Sequence, residues 1–238
     1  MSPRSTARIA GWLFLLTHLT SVSAVILYGT AAGPLAPLAG RWQVLAGAML
    51  EVVLGAAVVG TAVALYPLLR AHRPGLAMAY VGLRTLEAGV ILVGVVTVLP
   101  VVAVPASPVS PGLEPSVAQA FTLAHAWSFV IGPGLICPIN TVVLAWLLLR
   151  TGLVPRPIAI LGLIGGPVIG VANLLVVAGL MSTPWFAALP IFAWEIALAI
   201  HLIVRGLRPA RGMSPGTGAD GIDAAVKQVH PIAQVMHP

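Results

Sequence analysis

Charged side chains are scarce in this chain. Its 238 residues include 12 Lys and Arg and 6 Asp and Glu. Charged residues thus make up 8% of the sequence, against roughly 25% in ordinary soluble domains. Hydrophobic residues account for 59%, and the mean hydropathy is +1.03. So few polar residues could not cover the surface of a soluble protein of this size. The composition therefore argues against a cytosolic globular enzyme and indicates a polytopic membrane protein.

Cysteine is almost absent, and the familiar catalytic motifs are missing. Cys137 stands alone, so the chain can form no internal disulfide and no cysteine-based zinc site. The sequence contains no His-Glu-x-x-His, no Gly-x-Ser-x-Gly and no phosphate-binding glycine loop. No motif therefore identifies a catalytic residue, a metal or a cofactor, and all three are left unassigned.

Basic residues outnumber acidic ones, but they do not indicate nucleic-acid binding. The net charge is +6 and the isoelectric point is about 10.8. Apart from Arg84, the arginines lie at or beyond the ends of apolar runs, and they form no stripe along a polar face. The expected partner is the lipid bilayer, and no nucleic-acid partner is expected.

Six apolar runs are present, each long enough to cross a bilayer, which takes about 20 helical residues. They fall near residues 9–28, 42–69, 76–99, 117–149, 157–180 and 186–204. The runs are continuously apolar and lack the alternation of lipid-facing barrel strands. The sequence therefore predicts an all-α polytopic membrane helix bundle with six transmembrane helices.

The fourth run is too long for one straight span. It contains Gly132-Pro133-Gly134 and Pro138, and proline removes a backbone hydrogen bond and kinks helices. We expect one broken or strongly tilted helix, with two re-entrant halves as the alternative. A second break is expected at Gly165-Gly166-Pro167 in the fifth run.

Arginine placement predicts the orientation of the bundle. One side of the predicted membrane carries Arg4, Arg8, Arg70, Arg73, Arg150, Arg156, Arg205, Arg208 and Arg211. The other side carries only Arg41. By the positive-inside rule, both termini are cytoplasmic. We expect residues 1–209 to form the six-helix transmembrane domain and residues 210–238, rich in Gly, Pro, Ser and Ala, to form a disordered cytoplasmic tail.

Polar residues inside the runs are the candidates for function. A charge at mid-bilayer costs about 2.5–3.5 kcal/mol on insertion scales, so such residues usually face the bundle interior. The candidate ligand-binding residues are Glu51, Arg84, Glu87, Glu195, His18, His125 and Asn140. Helical rise from the arginine-rich side places His18, Arg84, Glu87, Asn140 and Glu195 at one depth, about 14 to 18 Å in. Glu51, His125 and Asn173 are expected further towards the opposite side.

The charges in the spans do not balance. Arg84 and Glu87 are three residues apart and can form an ion pair on one helix face. A purely structural role for this pair is as consistent with the sequence as a functional one. Glu51 and Glu195 then have no fixed cation. Four explanations stay open: protonated carboxylates, a charged His18 or His125, a bound cation or basic ligand, or access to water.

Spaced glycines provide faces for close helix packing. Gly162, Gly166 and Gly170 are four residues apart in the fifth run, and Gly47 and Gly55 flank Glu51 at the same spacing. Such stripes favour packing within the bundle. The alternative is a homo-oligomer that assembles through Gly162, Gly166 and Gly170.

Three motifs stand out in the sequence: LRTLE at 83–87, GPG at 132–134 and FAWE at 192–195. With these motifs, residues 8–209 resemble the domain-of-unknown-function 4386 family of bacterial integral membrane proteins. It implies a membrane fold in the bacterial cytoplasmic membrane and supplies no activity. In this family an acidic residue often follows the histidine that corresponds to His125, whereas this chain has Ala126. This difference weakens the case for an acid–histidine pair at this position.

These observations favour binding or transport of a cation, a proton or a small basic solute through a buried Glu/Arg/His cluster. One alternative is an intramembrane enzyme or a metal- or haem-binding protein with His18 or His125 as a ligand. The other alternative is a structural or accessory membrane protein.

Overall fold

Seven α-helices make up most of the described part of the chain. The computed structural model describes residues 2–29, 41–103, 113–182 and 185–208, without the side chains of Arg41, Ala103 and Trp185. The helices are α1 (Pro3–Tyr28), α2 (Arg41–Leu69), α3 (Pro74–Ala103), α4 (Pro115–Ile131), α5 (Cys137–Thr151), α6 (Arg156–Val177) and α7 (Leu189–Val204). A π-helical turn (Gly132–Ile136) joins α4 to α5, and a 3-10 turn (Trp185–Ala188) precedes α7.

Six spans in this part of the chain are long and apolar enough to cross a membrane, because α4, the π-helical turn and α5 form one span of 37 residues. The prediction of an all-α bundle with six spans is confirmed. The chain is a multi-pass membrane protein.

Proline and glycine set the helix ends. Pro3 begins α1, and the Ser2 side chain accepts a hydrogen bond from the Ser5 amide at 3.2 Å, which caps the helix. Gly29 ends α1 and Gly152 ends α5, both with the positive φ that glycine adopts without strain. The predicted spans differ from the helices by a few residues, because hydropathy marks the apolar part of a helix rather than its caps.

Three predictions about breaks and loops can be compared with the helices. The predicted break in the fourth run is present as the π-helical turn in an otherwise continuous span, rather than as two re-entrant halves. The predicted break at 165–167 is wrong, because α6 continues through Pro167. The loop after the third run begins later than the run near 76–99 implies, because α3 continues to Ala103. Residues 104–112 and the predicted tail at 210–238 lie outside the described residues.

The helices close into a ring. Helices α1, α2 and α3 pack in chain order, α3 contacts both α4 and α5, and α5, α6 and α7 again follow in order. Helix α7 then returns to α1, where a Cβ on Gly11 would lie 2.7 Å from the carbonyl oxygen of Ala199. The small residue allows this close approach, so α1 completes the bundle.

The two halves of this ring are packed differently. We call the end that carries Arg4, Arg70, Arg150 and Arg205 the basic end, and the opposite one the far end. The basic half has a solid core, with the following large side chains at most 1% exposed: Phe14, Leu65, Leu69, Tyr80, Leu144, Leu147, Leu148, Leu198 and Leu202. A groove of about 580 Å³ lies at its surface, beside residues 2–4 and 204–207. The far half has a smaller core that includes Tyr28, Val44 and Val98, and it contains a cavity of about 340 Å³. By the positive-inside rule, the basic end is expected to face the cytoplasm.

Candidate functional site

A polar cluster lies where the solid half meets the cavity. Arg84 Nη1 lies 3.0 Å from Glu87 Oε2, and Asn140 Nδ2 donates to the same oxygen at 2.7 Å. Arg84 Nη2 lies 3.6 Å from Glu195 Oε1, and His18 Nε2 lies 3.5 Å from Glu195 Oε2. The structure thus brings together the five residues placed at one depth by helical rise, and the predicted Arg84–Glu87 pair is present. We call these five residues the Arg84 cluster.

Two aromatic rings hold the guanidinium of Arg84. Its Cζ lies 5.3 Å from the Phe14 ring centroid and 5.9 Å from that of Tyr80, distances at which a cation is attracted to a ring face. Arg84 Nε also donates to the Tyr80 hydroxyl at 3.3 Å, and the side chain is 2% exposed. Sequence reasoning missed both partners. The spacing of Tyr80, four residues before Arg84, could have revealed one of them.

His18 presents one particular nitrogen to Glu195. Its Nδ1 lies 2.9 Å from the Phe14 carbonyl oxygen, which can only accept, so Nδ1 carries the hydrogen and donates. Nε2 is therefore an acceptor in the neutral ring and becomes a donor only when the ring is charged. In the neutral ring, His18 Nε2 and the Glu195 carboxylate are both acceptors. A hydrogen bond can therefore form here only when a proton or a donor group lies between them.

Two buried atoms of the cluster lack a hydrogen-bond partner among the described residues. They are His18 Nε2 and Arg84 Nη2, and both face the carboxylate of Glu195. Buried polar atoms in proteins are nearly always hydrogen-bonded. The three side chains therefore offer an acceptor, a donor and a carboxylate to a bound group.

The cavity extends from this cluster into the far half. His18, Arg84, Glu87 and Glu195 form part of its wall. The rest of the wall is mainly apolar and includes Leu54, Val58, Ile91, Phe129, Ile169, Ile191 and Phe192. The volume of about 340 Å³ lies at the lower end of the roughly 300–1,000 Å³ of small-molecule pockets. Cys137 also lines it, although sequence reasoning gave this residue no place in the site.

Helix α6 contributes a further polar group to the cavity. Asn173 lies on its wall, and its Nδ2 donates to the Ile169 carbonyl at 2.9 Å. A Cβ on Gly134 would lie 2.7 Å from Asn173 Oδ1. The glycine in the π-helical turn therefore allows Asn173 to reach the cavity beside it.

Glu51 and His125 form a separate pair. His125 Nε2 lies 3.0 Å from each carboxylate oxygen of Glu51, and Glu51 is 1% exposed. Neither residue lines the cavity, although Phe129 touches both the cavity and the His125 ring, with ring centroids 5.4 Å apart. Helical rise placed Glu51 and His125 at a different depth from the other candidates, and the structure divides the candidates into two sites.

His125 has an acidic partner, but the next residue in the chain does not supply it. Ala126 indeed supplies no carboxylate, but Glu51, 74 residues away on α2, does. No local pattern connects residues this far apart. We call Glu51 and His125 the outer pair, because they lie towards the far end.

The glycine stripe of α6 is covered within the chain. A Cβ on Gly162 would lie 2.5 Å from Trp194 Nε1 of α7, and one on Gly166 would lie 2.9 Å from the Pro138 carbonyl of α5. Gly170 also faces Pro138, at 3.2 Å. A second copy could reach these glycines only by displacing α5 or α7. A homo-oligomer stays a prediction, and it would need another surface.

Comparison with known families gives a match over most of the chain. A family model described as domain of unknown function (DUF4386) matches residues 9–206. The chain belongs to this family. The DUF4386 region contains every member of the Arg84 cluster and the outer pair. Neither the curated proteins nor the solved structures include a significant match.

Metal-ligand groups were one alternative for the candidate residues. Within the described residues of the DUF4386 region, no three His, Cys, Asp or Glu side chains converge in a way that could hold a metal ion. The side chains that do converge mix carboxylates with Arg84, whose positive charge opposes a second cation of high charge.

Proposed function

We propose that this protein binds a small monovalent basic solute in the far-half cavity, as the first step of carrying it across the membrane. The observation that carries the proposal is the convergence of His18 Nε2 and Arg84 Nη2 on the Glu195 carboxylate, since neither atom has a hydrogen-bond partner in the described residues. A protonated amine donates several hydrogen bonds, so it can serve the carboxylate and the histidine nitrogen together.

The formal charge of the Arg84 cluster fits one positive group. Arg84 offsets one of the two carboxylates, Glu87 and Glu195, and neutral His18 adds no charge. One proton or one monovalent cation then balances the remaining negative charge. Buried unbalanced charge is costly, so the two would compete for the same place. Release of a proton is therefore the expected companion of solute binding.

The wall of the cavity favours a solute with an apolar body. Leu54, Ile91, Phe129 and Phe192 border the space opposite the charged groups. Apolar walls with a few convergent polar groups are typical of small-molecule sites, whereas a bare cation would need more oxygen ligands. A small lipophilic amine matches this lining better than an inorganic ion.

The packing suggests the direction of entry. The solid half separates the cavity from the basic end, so the solute would enter from the far half of the bundle. We place the protein in the bacterial cytoplasmic membrane with the basic end inside. Uptake would then require the solid half to open in a second state.

A titration of alkylamines of increasing chain length against the detergent-purified chain tests the proposal. Isothermal calorimetry with the matching neutral alcohols separates charge from apolar contact. We expect amines to bind more tightly than alcohols. Glu195→Gln should weaken amine binding at least about tenfold, because a hydrogen bond to a charged group contributes roughly 1.5–3 kcal/mol.

Glu114→Gln is the matched control. Glu114 is an exposed carboxylate before α4 and lies outside the cavity wall, so its replacement should leave amine affinity unchanged. Equal binding of amines by the native chain and Glu195→Gln would overturn the proposal. Equal affinity of the native chain for amines and alcohols would do the same.

A further inference from the structure

The outer pair is buried without an arginine or lysine partner in the described residues. Glu51 is 1% exposed and His125 is 7% exposed. The groups that face the pair are the Tyr28 hydroxyl from α1, which lies near Glu51, and Gly94 from α3, which has no side chain. The Tyr28 ring also packs edge-on against His125, with centroids 4.9 Å apart. The carboxylate of Glu51 thus depends on His125 for its charge balance.

A proton resolves this imbalance. A carboxylate facing a neutral imidazole leaves one buried negative charge, which is costly in an apolar environment. When the imidazole takes one proton from water, the imidazolium donates from Nε2 to the carboxylate and the pair becomes neutral. Release returns the proton to water and restores the negative charge.

Helix α4 is the element that this pair can hold in place. Along its length α4 packs mainly against α3, and the π-helical turn links it to α5. The outer pair adds a direct tie from α4 to α2. Phe129, Pro133 and Gly134, which belong to α4 and the π-helical turn, form part of the cavity wall. The position of α4 therefore affects access to the cavity.

We propose that Glu51 and His125 form a second proton-binding site, outside the cavity, whose bound proton holds α4 against α2 and keeps the cavity closed on that side. Loss of the proton leaves a buried charge that water relieves when α4 moves away. The inference deepens the proposed function, on which its role in solute exchange rests. The proton site itself does not depend on any solute.

Cys137 is a built-in reporter for this movement. It is the only cysteine of the chain, and it lines the cavity. The rate of its modification by N-ethylmaleimide measures access to the cavity without any solute. Thiol reactivity itself changes with pH, so each rate is expressed relative to that of Glu51→Gln at the same pH.

Glu51→Gln removes the charge of the carboxylate but keeps a hydrogen bond between α2 and α4. The amide oxygen still accepts from His125 Nε2 but carries no charge, so this variant should stay closed at every pH. Between about pH 6 and pH 8 we expect the native-to-variant rate ratio to rise at least about fivefold, because the outer pair releases its proton as the pH rises. Glu51→Ala removes the tie and should label fast at both pH values.

A ratio that does not change with pH would overturn the proposal, because a purely structural pair gives the native chain and Glu51→Gln the same pH profile. Glu114→Gln should retain the native profile. If Glu51→Gln fails to fold, Glu51→Ala serves as the reference: the native rate should approach it at high pH and fall below it at low pH. A constant native-to-alanine ratio would then contradict the proposal. Amine titration uses a different readout, so failure of either idea leaves the other testable.

Discussion

The basic half and the far half of the bundle are built from the same helices, yet they are used differently. In the basic half, side chains such as Leu144 and Leu198 are fully buried in a continuous core. In the far half, the same helices surround a cavity and carry charged side chains at its border. Lipid tails are as apolar as leucine, so helix association in a membrane depends on close packing and polar contacts. The contrast teaches that a continuous core in one half can stabilise the bundle while the other half contains a cavity.

The Arg84 cluster marks the boundary between these halves. Its arginine is buried beside Phe14 and Tyr80 on the solid side and beside Glu87 and Glu195 at the cavity. We therefore expect a substitution of Arg84 to affect both regions.

Of the substitutions considered, loss of the Arg84 charge should lower the free energy of unfolding most. Arg84→Met leaves two buried carboxylates without their cation, and breaking a buried ion pair from one side costs about 3–5 kcal/mol. We expect the free energy of unfolding, measured by titration with denaturing detergent, to fall by this amount. Arg73→Met, at an exposed arginine of the basic end, should leave it unchanged. A small loss in Arg84→Met would show that the cluster is hydrated and is not the boundary described here.

A pair of leucine truncations compares packing directly. Leu144 is 0% exposed in the solid half, whereas Leu54 borders the cavity. Leu144→Ala should lower the free energy of unfolding by about 2–5 kcal/mol, because the fixed neighbours leave an empty space. Leu54→Ala should cost less, since its neighbours already leave one side open, and it should admit bulkier amines. Equal losses in stability would contradict the difference between the halves.

The sequence predicts much of the fold because hydropathy and charge act locally. Six apolar runs predicted six spans, and proline in the fourth run predicted its interruption. The break predicted at Pro167 is absent, since a proline removes one hydrogen bond and the close packing of Gly165 and Gly166 against neighbouring helices holds α6 together. Local sequence cannot report such tertiary support.

The sequence predicted the depth of the candidate site residues in the membrane, but it did not predict which side chains contact each other. Helical rise alone placed His18, Arg84 and Glu195 at one level, and the structure shows them within contact distance. The pairing of Glu51 with His125 depends on which helices are neighbours, which the sequence does not encode in any short pattern. Side chains from every span line the cavity, so no local sequence motif predicts it.

The most direct test of the two-halves account is thiol labelling at two positions on α5. Native Cys137 lines the cavity, and Ala145, two helical turns further along, is 0% exposed in the solid core. At high pH, where the cavity is proposed to open, N-ethylmaleimide should modify the native chain, and it should leave the Cys137→Ala, Ala145→Cys variant essentially unmodified while folded. Equal labelling rates at the two positions would contradict the account, because both halves would then be equally open.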